Sequence, residues 1–159
     1  MPVIYVSIAE QTLKLFDDNQ LIKQYPISTA ANGTGQQQGS FQTPLGRHLV
    51  RAKIGANCPL NAVFVGRRFT GEVYDEKLAS QFPQRDWILT RILWLSGQEP
   101  GYNRLGKVDS MRRYIYIHGT PDTEPMGIPA SHGCIRMRNN AVIELFERMP
   151  VYTQVIIEP

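Results

Sequence analysis

The chain has 159 residues, 42% hydrophobic and 19% charged, with three histidines, two cysteines and a formal net charge of +3. A chain this long buries about two thirds of the surface its unfolded form exposes, so a single domain over residues 1–159, a monomer without a metal or disulfide staple, is expected. The arginines are scattered, with short pairs at Arg67-Arg68 and Arg112-Arg113 and no aromatics woven into a basic run, which argues against a nucleic-acid partner, and no segment approaches the about 20 apolar residues of a membrane span.

Residues 3–8 read as a strand, Glu10-Gln11 as a turn, and 12–16 as a second strand with Leu13 and Leu15 on one face. Asp17 to Gln20 is a turn signal, and 21–28 a third strand in which Pro26 marks an edge or irregularity. Short strands joined by tight turns predict an antiparallel meander. Residues 29–43 are polar and Gly-rich and read as a loop, mainly a plain surface one, ending in a fixed turn at Thr43-Pro44-Leu45-Gly46. A strand over 47–54 gives His48 a structural or exposed place. Cys58 lies in a Gly/Pro turn with no histidine near it in sequence, a bystander thiol.

Residues 62–69 predict one strand with a bulge at Gly66, which would point Arg67 and Arg68 to opposite faces; both read mainly as solvated, with one of them reaching a substrate carboxylate as the alternative. Residues 72–82 suit a short helix or a lid-like excursion that Pro83 ends. The apolar run 87–95 predicts a buried strand or strand pair, with both tryptophans as core residues and Trp94 also a candidate wall of a cleft. Gly97 to Asp109 reads as a loop in which nothing singles out Tyr102 or Asn103 as pocket residues. Tyr114 to Ile117 begins a strand that ends on His118-Gly119. After residue 138, Asn139-Asn140 offers a helix cap, and Val142, Leu145, Phe146 and Met149 form a core stripe. Glu144 and Arg148 are an i,i+4 pair, Pro150 stops the helix, and 153–157 closes as a strand.

The chemistry concentrates in residues 115–138, where His118-Gly119 is followed by a Pro/Gly loop and then Ser131-His132-Gly133-Cys134-Ile135-Arg136. A thiol and imidazoles brought together across a loop suggest a thiolate nucleophile with a base, and a positive neighbour lowers a thiol pKa. If the run were extended, His132 and Arg136 would share the face of Cys134, and Gly133 permits a backbone that aims amides at an oxyanion. Two rivals remain open. Zinc would accept Cys134, His118 and His132 with Asp122 or Glu124, though the spacing fits no common zinc pattern, and a purely structural role for the three residues is the second rival. Both cysteines read as thiols. There is no C-x-x-C, phosphate loop or dinucleotide glycine pattern, so neither cofactor nor metal is expected.

These residues resemble the L,D-transpeptidase catalytic domain, or YkuD, family. The resemblance covers nearly the whole chain and rests on His118-Gly119, on Ser131 to Met137, on Thr43 to Gly46, on the helix Val142 to Arg148, on the closing Val155-Ile156-Ile157-Glu158 and on the N-terminal hairpin. It implies a mainly β sandwich or barrel with a short helix on its C-terminal side packed against the sheet. It makes Cys134 the acylated nucleophile and His118 the base and acid, its ring oriented by the Gly119 carbonyl. Ser131 and His132 would shape the site, and Gly133 and Cys134 would supply oxyanion amides. Arg136 would hold a substrate carboxylate or brace the loop, and Trp94 and Tyr116 are candidate substrate contacts. The implied partners are peptidoglycan stem peptides or soluble muropeptides. The twelve residues between His118 and Ser131 are slightly fewer than the family usually has.

No basic n-region precedes the first strand, so the expectation is a cytoplasmic protein if Met1 is the native start, and a periplasmic or wall protein if a signal segment has been removed. The activity expected on that footing is hydrolysis of soluble tetrapeptides with release of D-Ala, an L,D-carboxypeptidase of murein recycling. The alternatives are an L,D-transpeptidase forming 3-3 cross-links or exchanging D-amino acids, and a non-catalytic peptidoglycan binder.

Overall fold

A computed structural model describes all 159 residues. Period-two alternation builds the first hairpin, β1 (Pro2–Ser7) and β2 (Thr12–Asp17), in which Ile4 and Val6 lie opposite Leu15 and Leu13. All four are buried, and each contributes roughly 1.5–3 kcal/mol by leaving water. Asp18 (φ +48°) and Asn19 (φ +65°) form a tight turn into β3 (Gln20–Ser28), since short polar side chains tolerate the left-handed region that such hairpins require. Pro26 pairs with β2 on one side only, where its missing N–H is harmless.

β4 (Gly46–Ile54) follows the polar loop. The segment 62–69 is not one bulged strand. Gly66 (φ +56°) and Arg67 (φ +64°) turn the chain back, giving the hairpin β5 (Ala62–Val65) and β6 (Arg68–Val73). α1 (Glu76–Gln81) is capped by Asp75, which accepts from the Leu78 amide at 2.7 Å, and it stops before Pro83. The apolar run is a single strand, β7 (Ile88–Gly97), with an irregularity at Thr90 (φ +76°). β8 spans Tyr116–Gly119, two residues later than its sequence signal. Tyr114 has φ +57° and precedes the strand. β9 (Ile135–Met137), α2 (Asn139–Arg148) and β10 (Gln154–Glu158) complete the chain.

The sheet runs β4-β10-β1-β2-β3-β9-β8-β7, and β7 pairs again with β4. Eight strands thereby close into a barrel with no free edge among them. The β5–β6 hairpin hangs on the first residues of β7, through Val63–Leu89 and Phe64–Ile88. The mainly β expectation with one packed helix holds: Val142, Leu145 and Phe146 of α2 join the same core as Ile117, Ile135 and Leu93 from the barrel wall. β7 and β8 are covered on both faces. Their outward residues Ile92 and Tyr116 pack with Ala62 and Phe64 from the hairpin, and Trp94 and Cys134 flank that cluster. Double coverage is why 87–95 reads as continuous rather than alternating.

Two local expectations fail for non-local reasons. Asn139 does not cap α2; Arg138 occupies that position without a side-chain bond, because the Asn139 amide is drawn into contacts with Asn61 and Thr120. Glu144 does not pair with Arg148; it meets Lys23 at 3.4 Å and accepts from the Tyr25 hydroxyl on β3. His48 is structural. It is fully buried, its Nδ1–H donates to the Gly46 carbonyl at 3.0 Å, and its Nε2 accepts from Ser110 Oγ at 2.8 Å. Burial lowers its pKa to about 4.

Candidate active site

The site lies on the outer face of the barrel wall. β8 and β9 run parallel, with Ile117 opposite Ile135 and His118 opposite Arg136. Ile117 and Ile135 point into the core, so alternation turns His118, Tyr116, Cys134 and Arg136 outward together. His118 and Cys134 are thus diagonal neighbours on one face, although sixteen positions separate them in the chain.

His118 is 1% exposed and its Nδ1 lies 2.5 Å from the Gly119 carbonyl. A carbonyl only accepts, so the proton resides on Nδ1 and Nε2 is left with its lone pair. Burial lowers the pKa of His118, and Arg136 adds to this, against the Gly119 bond and Asp86. The ring is therefore neutral at pH 7 and able to take a proton. A side chain on Gly119 would collide with Asn139 Oδ1 and the Leu89 carbonyl. The glycine after His118 is needed for that close approach, and Asn139 is locked there by Thr90, whose hydroxyl donates to its Oδ1 at 2.7 Å.

Cys134 is half-buried. Its Sγ accepts from the Tyr116 amide and faces the Tyr114 carbonyl, both at 3.3 Å. Burial pushes the thiol up to about 12, outweighing the lowering by the Tyr116 amide, Arg136 and Arg113. In place of the resting thiolate set up by positive neighbours that the sequence suggests, burial favours a neutral thiol.

The turn before Cys134 is pinned from several sides. Ser131 Oγ donates to the Cys134 carbonyl at 2.6 Å and accepts from the Gly133 amide at 3.2 Å. Gly133 has φ +131°, a region open to glycine. Thr43 Oγ1 donates to the Gly133 carbonyl at 2.9 Å and accepts from the Ala30 amide at 3.0 Å. The Thr29 carbonyl accepts from the Ala130 and Ser131 amides, and Thr29 is itself held by the buried Gln11 side chain. Much of the loop 29–43 is therefore scaffold for Ser131 and Gly133 rather than plain surface. With the Gly133 amide engaged by Ser131, the Cys134 amide is the one near the sulfur that donates to no group of the protein.

Arg136 is 7% exposed and braces the site. It reaches Asp86 at 3.1 Å, Glu124 at 3.4 Å and the Ala130 carbonyl at 3.2 Å, so its side chain ties down the connection between His118 and Ser131. His132 is 61% exposed and its Nδ1 lies 3.3 Å from the other oxygen of Asp86; Phe41 packs edge-on to its ring. His132 and Arg136 thus meet at Asp86 rather than at the sulfur. His132 faces Asp86 and Glu124 faces Arg136, and no three His, Cys, Asp or Glu side chains converge as a metal-binding group. Trp94 donates to the Met111 carbonyl at 3.1 Å and packs on Tyr116. Asn103 is buried and bonded to Leu45 and Arg47 carbonyls, away from the site.

Two troughs flank His132. One, of about 490 Å³, is lined by Ala31, Asn32, Phe41, Asp86, Ser131 and His132. The other, of about 200 Å³, includes Asp86, Thr120, Glu124 and Arg136. A larger cavity of about 590 Å³ on the outer face of β1–β2 holds no nucleophile–base pair. Sequence reasoning missed Asp86 altogether and the site roles of Thr43 and Asn139, which read as part of a fixed turn and as a helix cap. Each acts through a partner more than 20 residues away.

A family model described as the L,D-transpeptidase catalytic domain matches residues 1–157. A putative L,D-transpeptidase YkuD of Bacillus licheniformis is 26% identical over 156 residues, 98% of this chain and 65% of the relative. A putative L,D-transpeptidase YqjB of Bacillus subtilis is 51% identical over 45 residues, 28% of this chain and 26% of that protein. In fold, the chain is similar to L,D-transpeptidase 3 from Mycobacterium tuberculosis, solved with a faropenem-derived adduct, at a TM-score of 0.60 and 16% identity, covering 99% of this chain and 60% of that one. The chain thus spans less than two thirds of the length of each of these three. With the family model matching almost end to end, the chain belongs to the L,D-transpeptidase catalytic domain family.

Proposed function

We propose that the protein is a cysteine acyltransferase that opens the bond between the L-centre of the third residue of a peptidoglycan stem and its terminal D-Ala. The observation that carries this reading is the shared face of β8 and β9, where a neutral imidazole and a neutral thiol lie diagonally side by side. His118 Nε2 takes the thiol proton as Sγ adds to the carbonyl carbon, while the Tyr116 amide stabilises the charge on sulfur. The oxyanion faces the free Cys134 amide. Collapse breaks the C–N bond, His118 returns its proton to the departing amine, and a thioester remains. The acceptor then loses its proton to His118 and adds to the thioester, and the thiol is restored with that proton.

Water as acceptor gives a tripeptide and makes the protein an L,D-carboxypeptidase. The short, Arg136-braced connection between His118 and Ser131 favours this outcome by leaving little loop to hold an acceptor strand. Transfer to an amine is the second reading, supported by the 45% exposed Asp86 carboxylate in the open trough, the complement of an ammonium group. Mass spectrometry of the products from a disaccharide tetrapeptide separates them. Loss of D-Ala alone is expected; cross-linked dimers or exchanged D-amino acids would replace the first reading with the second.

A further inference from the structure

We propose that Arg67 is the specificity residue that takes a carboxylate of the donor peptide. The proposal rests on the acyl-transfer reading above. Arg67 sits in the β5–β6 turn, where a side chain ordinarily points to solvent and where its neighbour Arg68 is exposed. Instead it folds back onto Trp94, Tyr114 and Tyr116. Its guanidinium lies 4.9 Å from the Trp94 ring centre and 4.7 Å from that of Tyr114, and Nη1 donates to the Tyr116 hydroxyl at 3.1 Å. Tyr114 and Tyr116 are also the residues whose backbone carbonyl and amide meet Cys134 Sγ. The same pair of residues thus touches both the nucleophile and this cation.

Two other guanidiniums, those of Arg136 and Arg113, act on Cys134, and both are already engaged. Arg136 is bound to Asp86, Glu124 and a carbonyl. Arg113 donates to the Gly35 and Gln42 carbonyls and to Ser40. Arg67 makes one hydrogen bond of the five its fork offers and has no carboxylate within ion-pair distance. Held against two aromatic rings, it loses little freedom on binding and presents a planar fork matched to a carboxylate. In a donor whose scissile carbonyl meets Sγ, the terminal carboxylate lies one residue along the chain, roughly 3.3–3.6 Å away. A side-chain carboxylate on the third residue is the other group of this chemistry near the reacting carbon.

Four synthetic tetrapeptides test the assignment, with diaminopimelate or lysine as third residue and a free or amidated C-terminus. In the wild-type protein, kcat/KM for release of the last residue should favour a carboxylate donor by about 10- to 100-fold. Arg67→Ala and Arg67→Gln should erase that preference, and Arg67→Lys should keep part of it. A preference that follows the C-terminus assigns the terminal carboxylate as the group read, and one that follows the third residue assigns the side-chain group. Equal slowing of all four donors by Arg67→Ala, or no discrimination by the wild type, overturns the proposal. Calorimetric binding of the same peptides to Cys134→Ala, with and without Arg67→Ala, reads the carboxylate preference without turnover, so failure of the acyl-transfer reading is told apart from failure at Arg67.

Discussion

His118→Ala is expected to slow acylation of Cys134 at pH 7 by about 10²- to 10⁴-fold, the usual contribution of a positioned general base. The reason is specific to this site. Burial pushes the thiol up to about 12, so almost no thiolate exists at neutral pH and attack depends on a group that takes the proton in the same event. On the proposed acyl-transfer reading Nε2 of His118 is that group, because Nδ1 is committed to the Gly119 carbonyl. The deficit should narrow as pH rises towards 12 and hydroxide takes over the proton. In the wild-type protein the rate is expected to need neutral His118 and to fall as pH falls through its pKa. Burial lowers that pKa below the ordinary imidazole value, so activity should persist into mildly acidic solution. Rates of D-Ala release against pH for both proteins check this; matching profiles would remove His118 from the mechanism.

Folding stability is expected to fall by about 3 kcal/mol between pH 7 and pH 4 through His48 alone, at about 1.36 kcal/mol per pKa unit. His48 is buried neutral with its pKa lowered to about 4. Its unfolded form, near 6.5, takes a proton first. The contribution is complete above pH of about 6.5, is lost as pH falls, and is exhausted near pH 4. The neighbours act in opposite directions: Glu99 and the Gly46 carbonyl favour the charged ring, Arg113 and burial oppose it, and burial dominates. His118, also buried with a lowered pKa, adds in the same direction. Guanidinium unfolding at several pH values should give this slope, and His48→Gln should flatten it. An unchanged slope in that variant would place the acid sensitivity elsewhere.

The first hairpin and the last helix were legible because their cues are local. Ile4, Val6, Leu13 and Leu15 alternate, Asp18-Asn19 turns, and the stripe from Val142 to Met149 faces one core. The cysteine motif was legible for the same reason. The rest depends on partners distant in sequence. Gly66 reads as a bulge because the arginine that follows it carries no turn signal, yet Gly66 and Arg67 divide two strands. Asn139 has the composition of a cap, but Asn61, Thr90 and Thr120 claim its side chain. Glu144 has an arginine at helical spacing, and Tyr25 and Lys23 on β3 draw it away. The thiol's proton follows burial in the folded chain, a quantity that a list of nearby charges does not contain. Thr43 and Gln11 lie where the sequence reads as turns, and their side chains point inward to fix Gly133 and Thr29.

Cys134 is the residue expected to carry the acyl group. Incubating the protein with faropenem as a trapping acyl donor, followed by intact-mass and peptide mass spectrometry, tests it most directly. The expected result is one adduct on the peptide containing Cys134, absent from folded Cys134→Ala, with D-Ala release from a tetrapeptide abolished in the same variant. A folded wild-type protein that releases D-Ala while its adduct sits on Cys58 or on another residue, or a Cys134→Ala protein that still releases it, would contradict the account.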